Sequence, residues 1–256
     1  VTLVQSSLPR ADPVFSSAST ATTPENVSTS AVVYDATANS DQGMVYSFVS
    51  GADASLFVIN SSTGEVRFSA SPNFENKLDV GQNNVYDFTV RATNSAGVFA
   101  DKAVALTVTN VNEYPLNSVP TTLSATEDVA KPVTGLSVID VDGNLSTVKL
   151  TVLNGTLGVS LTGGATISAG ANNTSTLTLS GTQAQINAAL GTVTYKASAN
   201  YNGSDSLTML ATDALGLIDS NTMDITVNPV NDAPVNTVPG GKTLNEDGSL
   251  AITGIS

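Results

Sequence analysis

Residues 107–115 read Thr-Val-Thr-Asn-Val-Asn-Glu-Tyr-Pro, and residues 226–234 read Thr-Val-Asn-Pro-Val-Asn-Asp-Ala-Pro. The two copies are 119 residues apart. The spacing holds without a gap beyond them, so Glu127-Asp128 falls on Glu246-Asp247 and Thr134-Gly135 on Thr253-Gly254. About 13 of the 31 positions from 107 to 137 recur identically, well above chance for an ungapped match. Each copy begins as the end of a β-strand, continues with amide and carboxylate side chains, and closes on a proline. The proline stops the strand because it has no N–H to give to a ladder. The stretch therefore marks a repeat boundary, and its oxygens lie where two domains meet in the chain.

Composition limits what such repeats can do. The 256 residues fit two domains of ordinary size. Twenty-two acidic residues against nine basic ones leave a net charge of −13. That excess argues against nucleic acid or an anionic membrane surface as partner, because phosphate binding needs clustered Lys and Arg. It suits divalent cations, since crowded carboxylates repel until something neutralises them. The chain has no Cys and no His, which removes disulfides, thiolate metal sites, nearly all zinc sites and the Ser-His-Asp triad. Paired carboxylates of the glycosidase kind remain open in principle, but no aromatic-lined acidic cleft is recognisable, so the chain reads as a non-enzyme. No apolar run approaches 18 residues, so no membrane insertion is expected. No basic segment leads into an apolar core at the N-terminal side, so no signal peptide is expected in this stretch. Thr, Ser, Val, Asn and Gly dominate, an all-β composition. Richness in Ser, Thr and Asn without Cys or His leans towards a secreted bacterial protein.

Short alternating runs separated by turn residues predict strands at 32–34, 45–48, 56–59, 65–68, 85–91 and 103–108. Residues 20–30 read as a loop or loose edge. The second repeat predicts strands at 133–138, 148–153, 159–162, 176–179, 193–195, 206–211 and 223–227. One segment breaks the pattern. Residues 182–190, Thr-Gln-Ala-Gln-Ile-Asn-Ala-Ala-Leu, place Ile186, Ala189 and Leu190 at helical spacing, with Thr182 as N-cap and Gly191 as the stop. The expectation is two tandem Greek-key β-sandwiches, the second with one short helix. The organisation reads as a lead-in at 1–12, domains at 13–112 and 113–231, and the start of a third repeat at 232–256, which is too short to bury a core.

Calcium takes six to eight oxygen ligands from carboxylates, amides, carbonyls and water. A site at a repeat boundary needs them from three places, and the sequence offers all three. The first domain has Glu25 and Glu75, the boundary has Asn110, Asn112 and Glu113, and the second domain has Asp140, Asp142, Asn144 and Asp213. Asp140 and Asp142 flank a turn in which Gly143 permits a sharp bend. Weaker candidates are Asn39 and Asp41, which lack an upstream domain in this chain, and Glu127 and Asp232, whose partners would lie beyond residue 256. Ile186 and Leu190 read as core packing, as do Tyr195 and Tyr201, although either tyrosine could stack on a sugar.

These residues resemble a known family. Pro-Val-Phe at 13–15, Pro-Glu-Asn at 24–26, Ser-Leu-Phe-Val-Ile-Asn-Ser-Ser-Thr-Gly-Glu-Val at 55–66, Asn-Phe-Glu at 73–75, Tyr-Asp-Phe-Thr-Val-Arg-Ala at 86–92 and Thr-Asn-Val-Asn-Glu at 109–113 occur in cadherin order. Together they look like a cadherin domain, in the style of the repeats of very large bacterial adhesins of the RTX type. Residues 114–230 are similar to the Ig-like or cadherin-like repeats of the same adhesins. The marks there are the run 179–190, Ala-Asn-Tyr-Asn-Gly-Ser-Asp at 199–205 and Val-Asn-Asp-Ala-Pro at 230–234. The resemblance implies calcium at the boundaries, a rigid array, and a role in cell adhesion or biofilm attachment at the cell surface. The partners it implies are adjacent repeats, with a glycan or surface protein as further ones. Two other readings stand beside it. One is a calcium-dependent carbohydrate- or protein-binding module. The other is a filament subunit that self-assembles by strand donation from Leu244, Leu250, Ile252 and Ile255.

The chain departs from the family pattern at Asn73, Asn110, Asn94 and Asn39, where the family has Asp. An amide is a neutral ligand, and affinity falls with the carboxylate count. Calorimetric titration of the calcium-stripped protein is therefore expected to give a dissociation constant of about 10⁻⁴–10⁻³ M, and a sub-micromolar constant would contradict it.

Overall fold

A computed structural model describes residues 12–39, 43–234, 236–238 and 240–254. The lead-in at 1–11, Asp41 and Ile255 lie outside these residues. The chain divides into two compact units, Val1–Glu113 and Tyr114–Ser256.

In unit 1 the strands are β1 (Val14–Phe15), β2 (Thr20–Pro24), β3 (Tyr34–Asp35), β4 (Ala38–Asn39), β5 (Met44–Val49), β6 (Phe57–Ile59), β7 (Glu65–Phe68), β8 (Val85–Asn94) and β9 (Phe99–Thr109). One sheet has the order β2-β9-β8-β5 and the other β3-β7-β6, while β1 pairs with β4. Period-two alternation builds the core. Along β8, Tyr86, Phe88, Val90 and Ala92 point inward, and β9 adds Val104, Leu106 and Val108. The opposite sheet supplies Phe57, Val66 and Phe68. Phe57 lies 4.5 Å from Phe68 and 4.7 Å from Phe88 between ring centroids, and Tyr86 stands edge-on to Phe68.

The expected loose edge at 20–30 contains a true strand. β2 runs parallel to β9, from Thr20 opposite Ala105 to Pro24 opposite Thr109. Thr-Ala-Thr-Thr-Pro has no apolar alternation, and its partner is some 85 residues away, so only the tertiary pairing makes it a strand. Pro24 ends it.

Unit 2 repeats the plan with β10 (Leu116–Ser118), β11 (Thr122–Thr126), β12 (Lys131–Pro132), β13 (Ser137–Ile139), β14 (Leu145–Val152), β15 (Gly155–Gly158), β16 (Thr166–Gly170), β17 (Thr176–Ser180), β18 (Thr194–Ala197), β19 (Gly203–Asp213) and β20 (Ile218–Asn228). The sheets are β11-β20-β19-β14-β17-β16 and β12-β18-β15, with β10 paired to β13. Again the edge strand β11 runs parallel to the last strand, β20. The larger sheet extends past β14 through β17 and β16. The strand expected at 159–162 is instead β15, immediately before it. Val159 leaves the ladder because its N–H and C=O both bond the side-chain amide of Asn172. β16 escapes sequence reading because most of it is exposed and a bulge between Ile167 and Ala169 breaks its alternation.

Every phenylalanine lies in unit 1. Unit 2 fills its core with aliphatic side chains, two methionines, Tyr195 and the helix α1 (Gln183–Leu190), whose Ile186, Ala189 and Leu190 are fully buried. Thr182 caps it in a capping box: its Oγ1 accepts the Gln185 N–H, and Gln185 Oε1 accepts the Thr182 N–H. The stop differs from expectation. Gly191 keeps right-handed angles, φ −65° and ψ −11°. Thr192 closes the last turn by donating its hydroxyl to the Ala189 carbonyl at 2.7 Å. The helix also holds β13. Asn187 Oδ1 accepts the Val138 N–H and Asn187 Nδ2 donates to the Val138 carbonyl, both at 2.8 Å. One turn earlier, Gln183 Oε1 accepts the Asp140 N–H at 2.7 Å.

Thr182→Ala is expected to cost about 1 kcal/mol and Ile186→Ala about 2–5 kcal/mol in denaturant titrations that follow unit 2. Equal costs would contradict the division between cap and core.

Candidate metal centres

The edge strand of unit 1 delivers the first centre. Directly after Pro24, Glu25 is buried, with 2% of its surface exposed. Its N–H continues the ladder to the Thr109 carbonyl at 3.0 Å. Its carboxylate joins two distant segments: Oε2 accepts the Phe74 N–H at 2.8 Å, and Oε1 accepts the Val111 N–H at 2.9 Å. Asn26 turns the chain with φ +59°, a left-handed conformation that asparagine tolerates. It donates Nδ2 to Glu113 Oε1 at 2.7 Å. The result is convergence. Glu25, Glu75 and Glu113 each bring a carboxylate oxygen within 4.8 Å of the other two. Glu25 is buried, Glu113 half-buried and Glu75 exposed, so the cluster opens to solvent on one side. Asn73 is occupied locally, its Oδ1 accepting the Asn76 N–H at 2.5 Å. Asn112 Nδ2 donates to the Glu113 carbonyl at 3.4 Å, and Asn110 is exposed beside it in the chain.

The second centre belongs to unit 2. Asp140 and Asp213 are buried, while Asp142 and Asn144 are partly so. Gly143, with φ +69°, bends the loop and donates its N–H to the Asp140 carbonyl at 3.2 Å. Asn144 holds the neighbouring turn through its carbonyl, which accepts the Ala214 N–H at 2.9 Å. Burial, followed by the charges of Asp142 and Asp213, pushes the Asp140 carboxyl above the usual carboxylate range, although backbone N–H groups of Asn144 and Asp142 offset part of this. These carboxylates therefore sense one another. Among the described residues, only the glutamates of unit 1 bring three carboxylates within 4.8 Å.

Glu127 occupies in unit 2 the place that Glu25 has in unit 1. It follows the parallel edge strand, is 2% exposed, and donates its N–H to the Asn228 carbonyl at 3.0 Å. Its Oε1 accepts the Val230 N–H and its Oε2 accepts from Asn202 Nδ2. The residue after it, Asp128, again has positive φ. Asn202 stands where unit 1 has Glu75, in Asn-Tyr-Asn against Asn-Phe-Glu. Asp232 is exposed, and Asn231 donates to its carbonyl at 3.3 Å as Asn112 does to that of Glu113. The third weaker candidate, Asn39, does not sit as Asp140 does. It pairs with Val14, just after Pro13, whereas Ile139 pairs with Leu116, just after Pro115. By this register Asn39 takes the place of Ile139, and four residues separate it from β5 where five separate Ile139 from β14. Asp41 lies outside the described residues.

Both tyrosines in question face inward. Tyr195 is fully buried and donates to Asp205 Oδ2 at 2.8 Å; burial and that carboxylate push its hydroxyl pKa up. Tyr201 packs against the core and donates to the Ser204 carbonyl at 2.5 Å. Sequence reading missed Asn26, which orients Glu113, and Gln183, which fixes the Asp140 backbone. The Pro-Glu-Asn motif contained the first. The second carried no signal, because a helix glutamine off the apolar stripe reads as surface.

Comparison with known proteins agrees with this architecture. A family model, the Protein GAMETE EXPRESSED 2 domain, matches residues 133–222, within unit 2. A search of curated protein sequences returned no match. Among solved structures, Drosophila N-cadherin EC1-4 matches with TM-score 0.51 and 19% identity, over 87% of this chain and 50% of that one. The Protocadherin Gamma B2 extracellular cadherin domains 1-5 match with TM-score 0.48 and 17% identity, over 88% and 40%. The chain thus spans half or less of those structures' length. The fold is cadherin-like: all-β sandwich repeats with one short helix.

Two outcomes follow from the geometry. Glu25→Ala leaves the Phe74 and Val111 N–H groups without their acceptor, and is expected to destabilise unit 1 by about 1–3 kcal/mol per orphaned group even in chelator. Asp140 has a folded pKa above its unfolded value, so its contribution is fully present below the unfolded pKa and is lost as pH rises through the folded one. Asp140→Asn is therefore expected to raise the neutral-pH melting temperature of the cation-free protein; a lowered one would contradict the assignment.

Proposed function

We propose that this chain is a calcium-rigidified extender module of an extracellular adhesin or fibre, bacterial by its composition, which supports cell adhesion or biofilm attachment. The observation that carries the proposal is the convergence of Glu25, Glu75 and Glu113 within 4.8 Å. Glu113 is the last residue of unit 1, so whatever binds this cluster acts on the segment leading into unit 2.

The donor set fits a hard divalent cation. It consists of oxygen only, in a chain without Cys or His, and combines one buried carboxylate with more exposed ones. Glu25, Glu75 and Glu113 would hold the ion, and Asn73, Asn110 and Asn112 stand close in sequence as neutral donors. Calcium, when bound, supplies the positive charge that lets these carboxylates stay together. Asp140, Asp142, Asn144 and Asp213 form the set that unit 2 contributes to cation binding in the same proposal. Glu25 has the central positioning role. It ties the boundary segment at Val111 to the 73–75 loop, so Glu75 and Glu113 face each other before any ion arrives.

The mechanism is electrostatic. Without cation, clustered carboxylates repel and the segment joining the units has freedom to move. With cation the repulsion is removed and that segment is held at Glu113. The excess of acidic over basic residues keeps such a chain soluble and favours cation loading. Both questioned tyrosines are engaged within unit 2, which favours the extender over a sugar-stacking module.

Small-angle scattering of the full chain with calcium and with chelator tests this. The expected result is a narrower distribution of long dimensions with calcium, lost in Glu75→Gln/Glu113→Gln. An unchanged profile would sink the proposal.

A further inference from the structure

We infer that the upstream end of unit 1 excludes divalent cations, and that Asn94 is the residue that decides it. The consequence for the module rests on the proposed function; the exclusion itself rests on geometry within unit 1.

Asn94 and Asp213 occupy the same place in the two units. Each is the last residue of a long inward-alternating strand, β8 or β19, and opens a tight turn into the final strand. Each donates its N–H across that turn, Asn94 to the Val98 carbonyl at 2.9 Å and Asp213 to the Leu217 carbonyl at 3.0 Å. Each uses Oδ1 to cap the turn. Asn94 Oδ1 accepts the N–H groups of Ala96 and Val98, both at 3.0 Å. Asp213 Oδ1 accepts those of Leu215 and Leu217 at 2.9 and 2.8 Å. Gly97 and Gly216 complete the turns with φ +83° and +91°. Both side chains are buried, with 4% and 3% exposed.

The difference is the second atom. A carboxylate that caps a turn with one oxygen still has another to offer a cation. An amide that does so has only an NH₂ group left, whose lone pair is delocalised into the carbonyl and whose hydrogens carry positive partial charge. Asn94 Nδ2 is buried without a hydrogen-bond partner. Its identity as nitrogen is forced, because the other atom accepts two backbone N–H groups. Turning the amide over would point NH₂ at those two donors, so Asn94 cannot present its oxygen outward and keep the turn. A buried donor of this kind takes an acceptor oxygen, from water or a carbonyl.

The register of Asn39 and the sequence before Pro13 bear on the same end. Asn39 is in register with Ile139 and so does not stand in for Asp140, while residues 40–42, Asp41 among them, lie outside the described residues. In sequence, residues 10–12 before Pro13 read Arg-Ala-Asp, where the later boundaries read Asn-Glu-Tyr before Pro115 and Asn-Asp-Ala before Pro234. The carboxylates of Glu113 and Asp232 thus align with Ala11, and the amides of Asn112 and Asn231 with Arg10. Cation binding in unit 1 is therefore polar: the Glu25 end takes the ion and the Asn94 end does not.

The test uses the ¹⁵N-labelled full chain with Mn²⁺ in place of calcium, read by paramagnetic broadening. The Asn94 NH₂ signal is identified by its loss in Asn94→Asp. β8 is ten residues long, so at about 3.3 Å per residue its two ends lie roughly 30 Å apart and broaden separately. The expected result is that the Phe74 and Val111 amides broaden while Asn94 NH₂, Ala96 and Val98 stay sharp up to at least tenfold more Mn²⁺. In Asn94→Asp, Ala96 and Val98 are expected to broaden at least tenfold earlier than in the parent. Early broadening of Asn94 NH₂ in the parent overturns the exclusion, and no change in Asn94→Asp overturns the role of Asn94. Sharp Phe74 and Val111 signals would instead refute the proposed site, leaving the Asn94 comparison readable.

Discussion

Each unit depends on one glutamate placed just after a parallel edge strand. The strand itself is weak, five residues of mostly Thr, Ser and Ala at the rim of a sheet. What locks it is the next residue. Glu25 or Glu127 carries the ladder one step further through its N–H and then turns its buried carboxylate onto the backbone beyond the last strand. A buried carboxylate needs donors to be tolerated, and the N–H groups at Val111 and Val230 meet that need while gaining an acceptor. In unit 1 the Phe74 N–H adds a third segment to the same side chain. The start of the fold, its end and one long loop are thus held by one charge.

The two units solve the same packing problem with different materials. Unit 1 has all the phenylalanines and closes its core with Phe57 in ring contact with Phe68, Tyr86 and Phe88. Unit 2 has no phenylalanine and brings in a helix face instead. The helix then acquires a second role. Asn187 bonds both backbone groups of Val138 and Gln183 takes the Asp140 N–H, so a core-filling element also sets where the acidic loop begins. The loops at the ends of the strands are consequently firm supports for charged side chains. A carboxylate such as Asp140 can be buried beside others only because the backbone around it cannot retreat.

Substitution of amide for acid is the variable on this scaffold. Asn202 stands for Glu75 and Asn94 for Asp213, and the second exchange keeps the hydrogen bonds that shape its turn. The turn keeps its form because one oxygen suffices to cap it. The charge and the second oxygen are what change, so the fold is kept between units while the charge that its loops present differs.

The sequence by itself determined the β class, the helix with its Thr182 cap, and the identity of the acidic residues. Each of these rests on local chemistry: period-two alternation, a capping box, carboxylate content. It did not reveal β2, β11 or β16, because an edge strand's partner lies far away in the chain and its own residues need not alternate. Nor did it show that Glu25, Glu75 and Glu113 converge while Asn39 is displaced by one residue of register. Those facts come from pairing between distant strands and from which backbone N–H groups a buried side chain must satisfy. Only the tertiary structure decides that.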